Sequence, residues 1–128
     1  MTAYLSPQQI LFIHFRIIET TGGAHGLRDV GSIQSAAARP QATFGGEDFY
    51  PDLLTKAGEL FESIIKNHPF IDGNKLTAVA AAALFLRRNG FVLSTTQDDL
   101  YDFTMRMATG DAGAGDAAAW LRRRCSPC

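Results

Sequence analysis

The residues best equipped for chemistry lie together in His68-Pro69-Phe70-Ile71-Asp72-Gly73-Asn74-Lys75. An imidazole, a carboxylate, an amide and an ammonium fall between two apolar-striped stretches, Asp52 to Asn67 and Asn74 to Asn89, both with helical spacing. The segment therefore joins the end of one helix to the start of the next. Unpaired backbone N–H groups at a helix start attract anions. A base, an acid and positive charge at that place suit phosphate chemistry, because phosphoryl transfer asks mainly for positioned charge and in-line geometry.

Each of these residues also has a plainer role. His68 could be a general base for a hydroxyl, or it could close the helix end, where the dipole favours a cation. A base is neutral when it acts, so a neighbour would have to hold one ring nitrogen. Asp72 could orient His68, bind Mg²⁺ on a nucleotide, or cap the second helix. Gly73 would let a phosphate approach the backbone closely. Asn74 could donate to phosphate or cap, and Lys75 adds a point charge. His14 lies beside the apolar stripe of its own helix and reads as a packed core histidine rather than a catalytic one.

The 128 residues suit one domain covering positions 1–128, long enough to bury a core without metal or disulfide staples. At 46% apolar, the chain is not of disordered composition. A net charge of −1 gives no general attraction to nucleic acid or to anionic lipid. The sequence has neither an apolar run of membrane length nor a secretion-signal pattern, so a cytoplasmic location is expected. Cys125 and Cys128 are the only cysteines, and no histidine is close in sequence. A zinc site has little support there, and Cys-Ser-Pro-Cys is expected to be a frayed tail.

Local signals place the elements that must hold the segment. Ser6-Pro7-Gln8-Gln9 is a capping box opening a helix with Ile10, Ile13, Ile17 and Ile18 on one face, and Gly22-Gly23 ends it. Asp29 caps a short helix from Val30 to Ala38, which Arg39-Pro40 breaks. Arg28 and Asp29 are expected to pin a loop and cap a helix. The stretch from Gln41 to Tyr50 is either a solvent loop anchored by its aromatics or an exposed edge that pairs with a partner's backbone. The helix from Asp52 carries a wide stripe and should be central. The one from Asn74 is apolar nearly all round and should be buried in the middle of a bundle. Phe91 to Ser94 is extended, and Thr95 or Thr96 opens a helix facing Leu100, Phe103, Met107 and Ala108 inward. Gly110 to Gly115 reads as a flexible turn and Asp116 to Arg124 as a terminal helix. The fold class is an all-α bundle of roughly five or six helices with one small β flap.

The stretch from His68 to Lys75 resembles the signature of the Fic/Doc superfamily, and specifically of the death-on-curing (Doc) toxins. The likeness extends to Leu5-Ser6-Pro7, Gly22-Gly23, Gly26-Leu27-Arg28-Asp29, Gln41 to Tyr50, Leu84-Phe85-Leu86-Arg87-Arg88-Asn89-Gly90, Ala108-Thr109-Gly110 and Leu121-Arg122-Arg123. It implies a compact helical fold and a bacterial toxin of a toxin–antitoxin pair, held inactive by a cognate antitoxin whose C-terminal segment covers the active cleft. In Fic enzymes such a histidine deprotonates a target hydroxyl, which attacks the α-phosphate of ATP and accepts AMP. Doc toxins place the nucleotide the other way round and pass the γ-phosphate to elongation factor Tu, stopping translation.

By that resemblance His68 is the base, and Asp72 assists through Mg²⁺ or through the base. Asn74 and Lys75 complete the catalytic set, and Phe70, Gly73, Asn74, Lys75 and position 76 form the nucleotide-binding loop. Phe70 also packs the loop into the core. Phe44, Gly45, Gly46 and Phe49 belong to the flap that docks the target backbone. Leu76 departs from the pattern, which has a phosphate-binding arginine directly after the lysine. Leucine offers no donor and no charge, so the expectation is a Doc-type protein kinase toxin with impaired activity. The alternatives are a Fic-type AMP transferase and a catalytically silent domain that only binds an antitoxin.

Overall fold

The computed structural model describes residues 1–128. Its helices are α1 (Pro7–Thr21), α2 (Val30–Ala38), α3 (Leu53–Asn67), α4 (Asn74–Arg88), α5 (Gln97–Thr109) and α6 (Ala114–Arg124). A 3-10 turn, Arg39–Gln41, follows α2. Strands β1 (Thr43–Phe44) and β2 (Glu47–Asp48) pair antiparallel, as do β3 (Phe91–Leu93) and β4 (Cys125–Pro127). The architecture is thus a mostly helical bundle of six α-helices, with two small sheets rather than one flap.

The helix starts follow from their caps. Ser6 accepts from Gln9 N–H at 3.1 Å while Gln9 accepts from Ser6 N–H at 2.8 Å, closing the capping box of α1. Asp29 accepts from Gly31 N–H, Asp52 from Thr55 N–H, and the hydroxyl of Thr96 from Asp99 N–H, which fixes α2, α3 and α5. Helix α6 begins at Ala114, inside the expected flexible turn. The reason is that Ala114 N–H finds the Glu62 carboxylate of α3 at 3.0 Å and Gly113 N–H finds Asp116 at 3.0 Å.

Helix α3 is central, packing on α6, α4 and α2. Its contact with α6 is close because Gly58 has no side chain: a Cβ there would lie 2.7 Å from the carbonyl oxygen of Ala114. Helix α4, expected to be buried all round, is not. Leu76 and Leu84 are exposed, and the side shared with α5 opens onto a groove. Much of its apolar character is alanine, which marks close packing without demanding burial on every side. No helix is long and apolar enough to cross a membrane.

The expected frayed tail is also corrected. Cys125–Pro127 is β4, and Cys128 N–H donates to the Gly90 carbonyl at 2.9 Å. The tail supplies the partner that the backbone of β3 needs. Half-buried Cys125 has its thiol pKa pushed up by burial.

The hairpin β1–β2 turns through Gly45-Gly46, both at positive φ (62° and 84°), as a tight two-residue turn requires. Its phenylalanines do not anchor it: Phe44 is 80% exposed and Phe49 is also on the surface, while half-buried Tyr50 accepts from Arg39 Nε at 3.3 Å. The anchor is Lys56 of α3, only 1% exposed, which donates to Asp48 and to the Pro40 carbonyl, both at 3.2 Å. Burial disfavours that ammonium, but Tyr4 and Asp48 outweigh it, so its pKa lies above the usual lysine value.

Candidate active site

Helix α3 ends at His68, the C-cap, with φ 48° and ψ 58°. It is the only non-glycine residue at positive φ. Such a conformation persists only where the surroundings hold it. They do so here through the loop after α1. Arg28 Nε donates to the His68 carbonyl at 2.6 Å, and its Nη2 donates to the Asn67 carbonyl at 2.7 Å. The Arg28 and Asp29 N–H groups both donate to Pro69 O, at 2.7 and 3.2 Å. Ile71 N–H donates to Gly26 O at 3.0 Å, and Leu27 and Phe70 form an isolated antiparallel bridge.

From beneath, Phe70 holds the segment. It is 1% exposed and stacks on His14, with ring centroids 3.7 Å apart and an interplanar angle of 3°. This corrects its place among nucleotide-binding residues, because a ring so enclosed supports the loop without touching a ligand. His14 Nε2 donates to the Asp72 carbonyl at 2.8 Å, so His14 is a buried structural histidine.

Asn74, expected to donate to phosphate, is also corrected. Its side chain is buried, accepting from Phe70 N–H at 3.0 Å and donating to Phe70 O at 2.9 Å. Those two bonds fix the amide orientation. The same Nδ2 faces His68 Nδ1 at 3.4 Å, a long contact in which the amide only donates. A neutral ring that accepts from this amide carries its proton on Nε2. Asn74→Ala would leave the buried N–H and carbonyl of Phe70 without partners. At about 1–3 kcal/mol for each unsatisfied group, a loss of roughly 2–6 kcal/mol is expected. Urea unfolding checks it, and an unchanged midpoint would show that the amide is dispensable.

Asp72 does not orient His68. Its Oδ2 accepts from Ala24 N–H at 3.2 Å and its Oδ1 from Gly73 N–H at 3.0 Å. Gly23 leaves room for it, since a Cβ there would stand 2.7 Å from Oδ2. The carboxylate is exposed, and each oxygen retains a lone pair. No cluster of three or more His, Cys, Asp or Glu residues surrounds it. One carboxylate completed by phosphate oxygens and water is a usual Mg²⁺ arrangement, so Asp72 fits that ion only together with a nucleotide.

Helix α4 starts at Gly73 (φ 79°) with no side-chain cap. The N–H groups of Asn74, Lys75 and Leu76 find no acceptor, while Thr77 N–H is the first to bond, to Gly73 O. Three unpaired donors at the positive end of a fifteen-residue helix form an anion site. Lys75 stands exposed beside them and makes no ion pair. Leu76, half-exposed at 51%, and Lys75 also line a groove of about 540 Å³ between α4 and α5, with Val79, Leu100, Tyr101 and Met105. Tyr101 and Met105 of α5 carried no signal in the sequence, and Leu100, expected to face inward, also lines this groove. The flap residues Phe44, Gly45, Gly46 and Phe49 make no hydrogen bond to the His68 segment. The points where flap and segment attach to α3, Lys56 and Asn67, lie about 16 Å apart along the helix axis.

The Fic/DOC family profile matches residues 4–86, a span that includes every residue of this loop. The chain belongs to the Fic/DOC family. Relatives within the family cover nearly all of it. Toxin Doc of Mycolicibacterium smegmatis is 41% identical over 123 residues, spanning 94% of this chain and 92% of that protein. Protein kinase doc of Escherichia phage P1 is 34% identical over 120 residues, 94% of each. In this Fic/DOC chain, then, the family loop is a left-handed histidine followed by an uncapped helix start, held by Arg28 above and His14 below.

Proposed function

We propose that this Fic/DOC chain is a Doc-type toxin, a phosphotransferase that passes the γ-phosphate of ATP to a hydroxyl on a translation factor. Elongation factor Tu is the target this reading favours, and the cytoplasm the place of action. The observation that carries it is the juxtaposition of His68, in its left-handed conformation, with the free N–H groups of α4. The relatives' names, a toxin and a protein kinase, support the same reading.

In this proposal the phosphate oxygens lie on the N–H groups of Asn74, Lys75 and Leu76, with the Lys75 ammonium adding charge. The target hydroxyl gives its proton to the His68 imidazole, its oxygen bonds to the γ-phosphorus, and the bond from that phosphorus to the β–γ bridging oxygen breaks, releasing ADP. Mg²⁺, held by Asp72 together with the nucleotide, would supply charge neutralisation. Asn74 keeps the loop in shape. The exposed edge of β1–β2 would take the target backbone by strand addition. A cognate antitoxin would silence the protein by laying its C-terminal segment in the cleft.

The groove between α4 and α5 opens at Lys75 and has the size of a small-ligand site. In this proposal the nucleoside lies there, with Tyr101 as its stacking surface. Stacking of a base on an aromatic ring is worth about 1–3 kcal/mol. Tyr101→Ala is therefore expected to raise KM for ATP by roughly tenfold or more and to leave kcat little changed. Steady-state kinetics with varied ATP check it, and an unaltered KM would remove the nucleoside from this groove.

ATP labelled at the α or the γ position tests the whole reading. Transfer of the γ label to protein supports it, and transfer of the α label would make the chain an AMP transferase. Leu76 favours one other reading, a catalytically silent domain that binds only the antitoxin. Tight antitoxin binding with no ATP binding would select that.

A further inference from the structure

Arg28 lies outside the family loop, yet both of its hydrogen-bonding nitrogens end on the residues that present the base. We infer that Arg28 is a positioning residue for the reaction: its guanidinium holds His68 in the left-handed conformation that sets the imidazole against the start of α4. This rests on the role proposed above for His68.

The left-handed C-cap of a helix is ordinarily glycine, which bears no cost there. A histidine in that place relaxes unless something prevents it. The Arg28 fork spans the carbonyls of two successive residues, Asn67 and His68, at 2.7 and 2.6 Å. Only a backbone that turns at residue 68 offers both to one planar group. A rigid fork recognises that arrangement and a single ammonium does not. The backbone of Arg28 is locked on the same target, through its N–H to Pro69 O at 2.7 Å. So the side chain approaches from a fixed origin.

Arg28 has no competing task. It pairs with no carboxylate, and neighbouring Asp29 is already engaged with Gly31 and Ser32 of α2. It also supplies the cation that the negative end of α3 attracts. The His68 side chain is thereby spared answering the helix dipole and left to serve as the base.

A stability cycle tests the positioning without any activity. His68→Gly removes the left-handed strain, so in the parent chain it should raise Tm by about 3–6 °C. In the Arg28→Met background residue 68 has already relaxed, and the same substitution should gain little. Equal gains in both backgrounds would show that the rest of the loop, not Arg28, holds the turn, and the inference falls. A second readout is the ¹⁵N spectrum of the His68 ring, which should report one tautomer with Arg28 present and an average of two with Arg28→Met.

Kinetics in a Leu76→Arg background separate this role from phosphate binding. Positioning lowers kcat by roughly ten- to a hundredfold with KM for ATP unchanged, and Arg28→Lys restores only part. A raised KM at constant kcat would instead make Arg28 a phosphate ligand. If the Leu76→Arg chain labels no target at all, the proposed function fails, while the Tm cycle and the ring spectrum still decide the place of Arg28.

Discussion

Replacing Leu76 with arginine is expected to raise the rate of ATP-dependent target modification by roughly a hundred- to a thousandfold, the usual worth of one preorganised donor of transition-state charge. Expression without antitoxin should then arrest growth. Both expectations follow from the site. Backbone donors and Lys75 attract phosphate, but neither supplies a fork that grips two oxygens at once. Leu76 lies in the first turn of α4 and is half-exposed, so an arginine would reach solvent and the anion site without burying a charge. A cation near a helix start costs about 0.3–1 kcal/mol, too little to unfold the bundle. Growth curves after induction of the two versions, with γ-labelled ATP on extracts, measure the effect. If the arginine version is as harmless and as inert as the Leu76 chain, the silent antitoxin-binding reading stands in place of the kinase.

His68→Ala, made in that active background, is expected to reduce transfer by about a hundred- to ten-thousandfold, the contribution of a positioned general base. The fold should persist. Alanine is also strained at φ 48°, so it neither relieves nor adds much, and the ring is exposed. Tm should therefore stay close to the parent's while the label disappears. Nucleotide binding should survive as well, since the α4 donors and Lys75 are untouched. Transfer at the parent rate would remove His68 from the chemistry, and the proton would have to go elsewhere.

The features legible in the sequence are those encoded within a turn of backbone. Ser6 with Gln9, Asp29, Asp52 and Thr96 each announce a helix start because the cap and its donor are neighbours in the chain. The loop from His68 to Lys75 is equally local. What escaped is whatever depends on the direction of a side chain or on a distant partner. An asparagine at a helix start reads the same whether its amide turns outward to phosphate or inward to Phe70, and only packing decided it. Asp72 turned to Ala24 and away from His68 because Gly23 leaves a gap for it. The reach of Arg28 to the end of α3 has no periodic trace. Nor has β4, three residues without alternation that became a strand because β3 had an open edge.

A ribosome delivers a chain from its first residue, so α3 emerges well before α6, its most extensive neighbour, and β3 before β4, its partner. The helix that ends at His68 therefore stays uncovered on one side until those later residues follow it out. A protein proposed to attack translation would acquire the helix that presents its base before the packing that fixes that helix in place.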